Sequence, residues 1–110
     1  MSIYLNIIKK LGSETTAYSA IKQSSYEKGI CEAGTPLLHL ENKSDKEISS
    51  MIENSNYNPC FFKFLVPFIK EDKYIYSIIE ENRDNKRICE IGLDAIDSLN
   101  EKNNNIKQTI

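Results

Sequence analysis

The sequence predicts an α+β domain: a small antiparallel sheet of three to four strands, a meander over about residues 60–92, packed with amphipathic helices. Two observations carry this expectation. All four phenylalanines lie within Cys60-Phe61-Phe62-Lys63-Phe64-Leu65-Val66-Pro67-Phe68-Ile69, and two more apolar runs follow, Tyr74-Ile75-Tyr76-Ser77-Ile78-Ile79 and Ile88-Cys89-Glu90-Ile91. Brief polar stretches at 70–73 and 82–86 separate them, and short β-branched and aromatic runs divided by such loops read as strands.

Taken in order, Ile3, Tyr4, Ile7, Ile8 and Leu11 recur at helical spacing, and Gly12 suits the residue past a helix end because it tolerates positive φ. Ser13 is placed to cap a second helix through Ala17, Ala20 and Ile21, running to about Lys28 before Gly29. Ala33-Gly34-Thr35-Pro36 interrupts regular structure, and Leu37-Leu38-His39-Leu40-Glu41 reads as a short strand. Ser44 and Glu47 have the spacing of a capping box, with Ile48, Met51 and Ile52 on one face, so a helix is expected at about 45–54.

In the first meander strand, Phe62, Phe64, Val66 and Phe68 alternate with Phe61, Lys63, Leu65, Pro67 and Ile69, which leaves both faces largely apolar. Pro67 removes a ladder donor and favours an edge or a bulge there. An aromatic edge invites pairing, so dimerisation through Phe61–Ile69 is one expected use of it. Leu93, Ile96 and Leu99 suit a last short helix from about 93 to 102. The domain is thus expected to span 1–102, with a frayed tail at 103–110 and no internal repeat.

At 110 residues the chain is sized for one domain able to fold without staples. Cys31, Cys60 and Cys89 are odd in number, far apart and outside any C-x-x-C pair, and no leader-like or membrane-spanning run is present. These features predict a reduced, cytoplasmic protein; its lysine-, isoleucine- and asparagine-rich composition suggests a bacterial, AT-rich source. The formal net charge of −2 does not favour nucleic acid as a ligand. The expected order of the second half matches that of double-stranded-RNA-binding domains, but those present lysines where this chain has Asp94-Ala95-Ile96-Asp97.

No catalytic, cofactor or metal motif emerges, and the chain is not expected to be an enzyme. His39 is the only histidine, so a conventional His-assisted nucleophile must use it, with Cys31 or Cys60 as the thiol. Asp94, Asp97 and Glu101 fall on one helix face, with Glu90 just upstream, as an acidic stripe suited to a basic partner. Tyr57, Phe61, Tyr74 and Tyr76 supply candidate aromatic anchors. The expected function is inhibition by steric cover, in the manner of an immunity or antitoxin protein that blocks a toxin or effector. The partner is another protein with a basic surface, neither nucleic acid nor membrane, contacted by Tyr74, Tyr76, Asp94, Asp97 and Glu101. A homo-oligomeric assembly subunit and a small cysteine-dependent enzyme are the alternatives.

Overall fold

The computed structural model describes the backbone of residues 3–109 and the side chains of residues 3–103, and among them the protein is all-helical. Seven α-helices follow in order: α1 (Ile3–Leu11), α2 (Glu14–Gln23), α3 (Lys28–Gly34), α4 (Asp45–Asn54), α5 (Pro59–Leu65), α6 (Asp72–Glu81) and α7 (Lys86–Thr109). Short 3₁₀ turns occupy Thr35–Leu38, Leu40–Asn42 and Val66–Phe68.

The expected α+β class and the 60–92 meander are therefore corrected, because each presumed strand is helical. The reason lies in spacing. Phe61, Phe62, Leu65, Val66 and Ile69 are the buried members of the first run, and steps of one, three, one and three residues trace a helix face. Lys63 and Pro67, which interrupt that run, point to solvent. Ile75 and Ile78 are buried in the second run with Tyr74 and Ile79 half-buried beside them, while Tyr76 and Ser77 face outward. In the third, Ile88, Gly92 and Ile96 are buried, so the run expected as a strand and the helix expected at 93–102 form one continuous α7. The expected domain boundary at 102 falls inside α7, and most of the tail expected at 103–110 lies beyond the described side chains.

Helix ends follow local chemistry. Gly12 closes α1 at φ +55, and Ser13 Oγ accepts from Thr16 N at 3.1 Å to start α2. Helix α2 stops at Gln23, short of the expected Lys28. The Ser44–Glu47 capping box forms at the head of α4. Asn58 Oδ1 accepts from Cys60 N and Phe61 N, and Pro59 takes the first turn of α5, where its missing N–H costs nothing. Leu37–Glu41, expected as a strand, instead spans two 3₁₀ turns hinged at His39, which adopts φ +52.

The helices form three tandem helix–turn–helix units, α2–α3, α4–α5 and α6–α7, so the expectation of no internal repeat is also corrected. Unit 2 follows unit 1 at a spacing of 31 residues (14 to 45, 23 to 54, 28 to 59, 34 to 65). Unit 3 follows unit 2 at 27 residues (45 to 72, 54 to 81, 59 to 86). The first two turns close alike. Tyr26 N donates to Ile21 O at 3.0 Å and Tyr57 N to Ile52 O at 3.2 Å, while Ser24 Oγ and Ser55 Oγ bond back to those same carbonyls. Ser25, Tyr26, Asn56 and Tyr57 all take positive φ, the left-handed conformation such helix C-termini require.

Core positions repeat with the units. Ala17, Ile48 and Ile75 correspond, as do Ile30, Phe61 and Ile88, and Leu38, Ile69 and Ile96, all buried. Helix α5 packs between α3 and α7, α4 packs against α6, and α1 covers the outer side of α2 and α3. Among the described residues the main contacts thus join each unit to its neighbours, which is the organisation of a short α-solenoid. At the junction of units 1 and 2, the Phe61 ring lies 4.9 Å from Tyr26 and 6.4 Å from Tyr18 by ring centroids. The strand edge expected to drive dimerisation does not exist, since Phe61, Phe62, Leu65, Val66 and Ile69 are spent inside the monomer.

Candidate functional site: the outer face of helix α7

On α7 the core side is set by Ile88, Gly92 and Ile96, flanked by half-buried Ile91, Ala95 and Leu99. At about 100° per residue, Glu90, Asp94, Asp97 and Glu101 project from the opposite side, and all four are exposed. Glu90 lies 3.9 Å from Lys86, whereas Asp94, Asp97 and Glu101 have no ion-pair partner among the described residues. Leu93, four residues before Asp97, is 53% exposed and puts an apolar side chain within this acidic face.

The tyrosines divide. Tyr76 is 51% exposed on α6, whereas Tyr74 is half-buried, with Lys73 Nζ 5.3 Å from its ring centroid. Among the other candidate anchors, Phe61 is fully buried, and the half-buried Tyr57 donates its hydroxyl to Glu81. Burial first, then that hydrogen bond, pushes the Tyr57 hydroxyl well above its usual pKa. The structure thus brings Asp94, Asp97 and Glu101 together, leaves Tyr76 open on the neighbouring helix, and takes Tyr74 largely out of reach.

Asp94 also borders a groove of about 690 Å³ between the Val66–Phe68 turn and α7. Phe68, Ile91 and Leu99 contribute apolar surface there, and Lys63, Lys70, Lys102, Glu41 and Asp94 are also among its lining residues. None of these lysines and carboxylates is ion-paired with another, so open charges of both signs leave this groove without a clear preference for a charged ligand. The sequence reading missed it, because the groove depends on a 3₁₀ turn lying against a helix distant in sequence.

The cysteines do not assemble with His39. His39 extends into solvent with Nδ1 3.9 Å from Glu41 Oε1. Cys31 is buried in α3, where loss of solvent, with a smaller contribution from Cys60, pushes its thiol up to about 12. A thiol so disposed supplies almost no nucleophilic thiolate at neutral pH. Among the described residues no three His, Cys, Asp or Glu side chains converge as metal ligands, and no helix is long and apolar enough to cross a membrane.

Fold and surface together describe a small helical-repeat protein with an acidic, leucine-bearing outer helix. No protein-family model, curated protein or solved structure matches the chain.

Proposed function

We propose that this chain is a protein-binding module that covers a basic surface of a partner with the outer face of α7. Blocking that surface would make it a steric inhibitor of the immunity or antitoxin kind. The observation that supports this reading is the uncompensated charge of Asp94, Asp97 and Glu101 around exposed Leu93, opposite the core. Carboxylates not engaged within the protein lose no internal partner when they meet a lysine or arginine outside it. Their field speeds encounter and selects the sign of the partner, and burial of Leu93 at the centre of a contact slows dissociation.

The test is affinity capture from extracts of the source cells with three baits: wild type, a triple variant Asp94→Lys, Asp97→Lys, Glu101→Lys, and Leu93→Ser. All four positions are exposed, so each variant should keep the wild-type helical circular dichroism. A stoichiometric basic partner held by wild type and lost from the triple variant is expected, with association slower and less dependent on salt in the variant. Equal retention on both, or association rates that ignore ionic strength, would remove α7 from the contact.

A further inference from the structure

The 31-residue spacing of units 1 and 2 exceeds the 27-residue spacing of units 2 and 3 because His39–Asn42, with its 3₁₀ turn Leu40–Asn42, has no counterpart before α6. The consequence is local. Helix α4 lies against α6, but α2 and α4 stand apart, and a groove of about 790 Å³ opens between them. Lys43, at the end of the extra segment, reaches back to α2, and its Nζ donates to Glu14 Oε1 at 2.6 Å. This strut ties the longer connection to the start of α2.

The groove combines apolar and charged surface in a particular way. Leu38 lies at its base, and half-buried Tyr18 and Met51 flank it from α2 and α4. Both lining carboxylates are engaged: Glu14 by Lys43, and Glu47 by the Ser44 backbone N–H and hydroxyl at 3.2 and 3.1 Å. The lining charges left without a carboxylate are the ammonium groups of Lys22 and Lys46. Lys22 Nζ is held 5.4 Å from the Tyr18 ring centroid, so this cation stands beside the apolar flank.

We infer that the α2–α4 groove is a docking site for an acidic peptide segment of a partner protein, with acidic side chains meeting Lys22 and Lys46 and an apolar one seated between Tyr18 and Met51. Charge complementarity favours this occupant. A basic segment would meet Glu14 neutralised by Lys43 and Glu47 with an oxygen already held by Ser44, whereas an acidic one meets two lysines that no carboxylate neutralises, in a lining that carries one net positive charge. The volume is within the range of about 300–1,000 Å³ typical of ligand pockets. The site is separate from the α7 face and opposite to it in sign, so neither reading depends on the other.

Fluorescence anisotropy with a labelled EELEEL peptide, alongside a KKLKKL peptide and a single-stranded oligonucleotide of matching negative charge, tests the inference. The acidic peptide should bind wild type and weaken as salt is raised. Lys22→Glu with Lys46→Glu should weaken it about tenfold or more, the scale of two lost charge contacts plus new repulsion. Met51→Gln should weaken it several-fold while leaving the lysines in place, and Lys102→Glu, in the other groove, should leave it unchanged. Matching circular dichroism spectra for all variants would keep misfolding out of the comparison.

The inference fails if the double lysine variant binds the acidic peptide as wild type does, if KKLKKL binds equally, or if the oligonucleotide binds more tightly than the peptide. It also fails if light scattering shows wild type self-associating at the assay concentration and the double variant monomeric, because the occupant would then be a second copy.

Discussion

Gly92 of α7 passes so close to Ile79 of α6 that a Cβ built on the glycine would stand 2.6 Å from Ile79 Cγ1 and 2.7 Å from its Cδ1. Gly34 occupies the corresponding place in unit 1, with Ile21 Cδ1 at 2.9 Å. Small residues at these positions let the two helices of a unit approach closely. Replacing Gly92 by alanine would gain about 1 kcal/mol of helix propensity. The overlap outweighs that gain, because β-branched Ile79 has essentially one χ1 well in a helix and cannot easily swing aside. We expect Gly92→Ala to destabilise the protein by about 1–2 kcal/mol net, in line with overpacking costs. Urea denaturation should show a lower midpoint, and adding Ile79→Ala should cost less than the sum of the two single changes. A strictly additive pair would place the strain elsewhere.

Asp45 joins the second unit to the third. Its two carboxylate oxygens accept the Lys70 and Glu71 backbone N–H groups, each at 2.9 Å, so the first turn of α4 fixes the approach to α6. Hydrogen bonds to charged groups contribute about 1.5–3 kcal/mol when well made. Asp45→Ala is therefore expected to cost about 2 kcal/mol in denaturant unfolding, and Asp45→Asn less, because one acceptor oxygen remains. Amide exchange at Lys70 and Glu71 should quicken selectively in the alanine variant. Unchanged protection there would show that the bonds are not held in solution.

The parts of this fold that were legible in the sequence were those encoded within a few residues. Gly12, Ser13 and the Ser44–Glu47 pair announce helix ends because a cap acts across at most one turn. The misread region fails on the same scale. A seven-residue helix such as α5 is too short for periodicity alone to separate it from a strand, and its aromatic composition favours the wrong answer. Asn58-Pro59 was the available helix-start signal. The repeat is faint in the sequence because few identities survive between units 1 and 2, chiefly Ser13 with Ser44, Ile21 with Ile52, Ser24 with Ser55, Tyr26 with Tyr57 and Pro36 with Pro67. What recurs is hydrogen bonding and burial, which tolerate substitution. The acidic face of α7 was legible because its spacing is helical, whereas both grooves depend on contacts between distant segments.

Cys31 should make stability fall in alkaline solution. Its folded pKa is raised from 9.0 to about 12, chiefly by burial. A raised pKa means that the contribution is complete below the unfolded value and declines as pH climbs from there toward the folded one. Unfolding free energy should therefore begin to fall near pH 9 and continue falling toward pH 12, and Cys31→Ala should flatten part of that slope. Tyr26 and Tyr57, both raised by burial, add to the decline from their usual value of 10.0. In the native protein at pH 8–9, iodoacetamide should modify the half-buried Cys60 and Cys89 before Cys31. Equal labelling of all three thiols would contradict the burial argument.

Phe61 is expected to couple the first two units of the solenoid. The side chain belongs to α5, yet its ring meets Tyr18 of α2 at 6.4 Å and Tyr26 of the first turn at 4.9 Å, so it packs across the junction of units 1 and 2. In a stack whose main contacts join neighbouring units, stability is approximately the sum of unit terms and junction terms, and this aromatic cluster belongs to the junction term. Phe61→Ala removes a fully buried ring and should cost about 3–5 kcal/mol, more than Gly92→Ala. Junction loss has a second signature that simple cavity formation lacks. Units 2 and 3 would retain protection from hydrogen exchange while α1, α2 and α3 lost theirs first, and urea unfolding would separate into two steps. A single cooperative transition in the variant, with protection lowered evenly along the chain, would show that the units are coupled through other contacts.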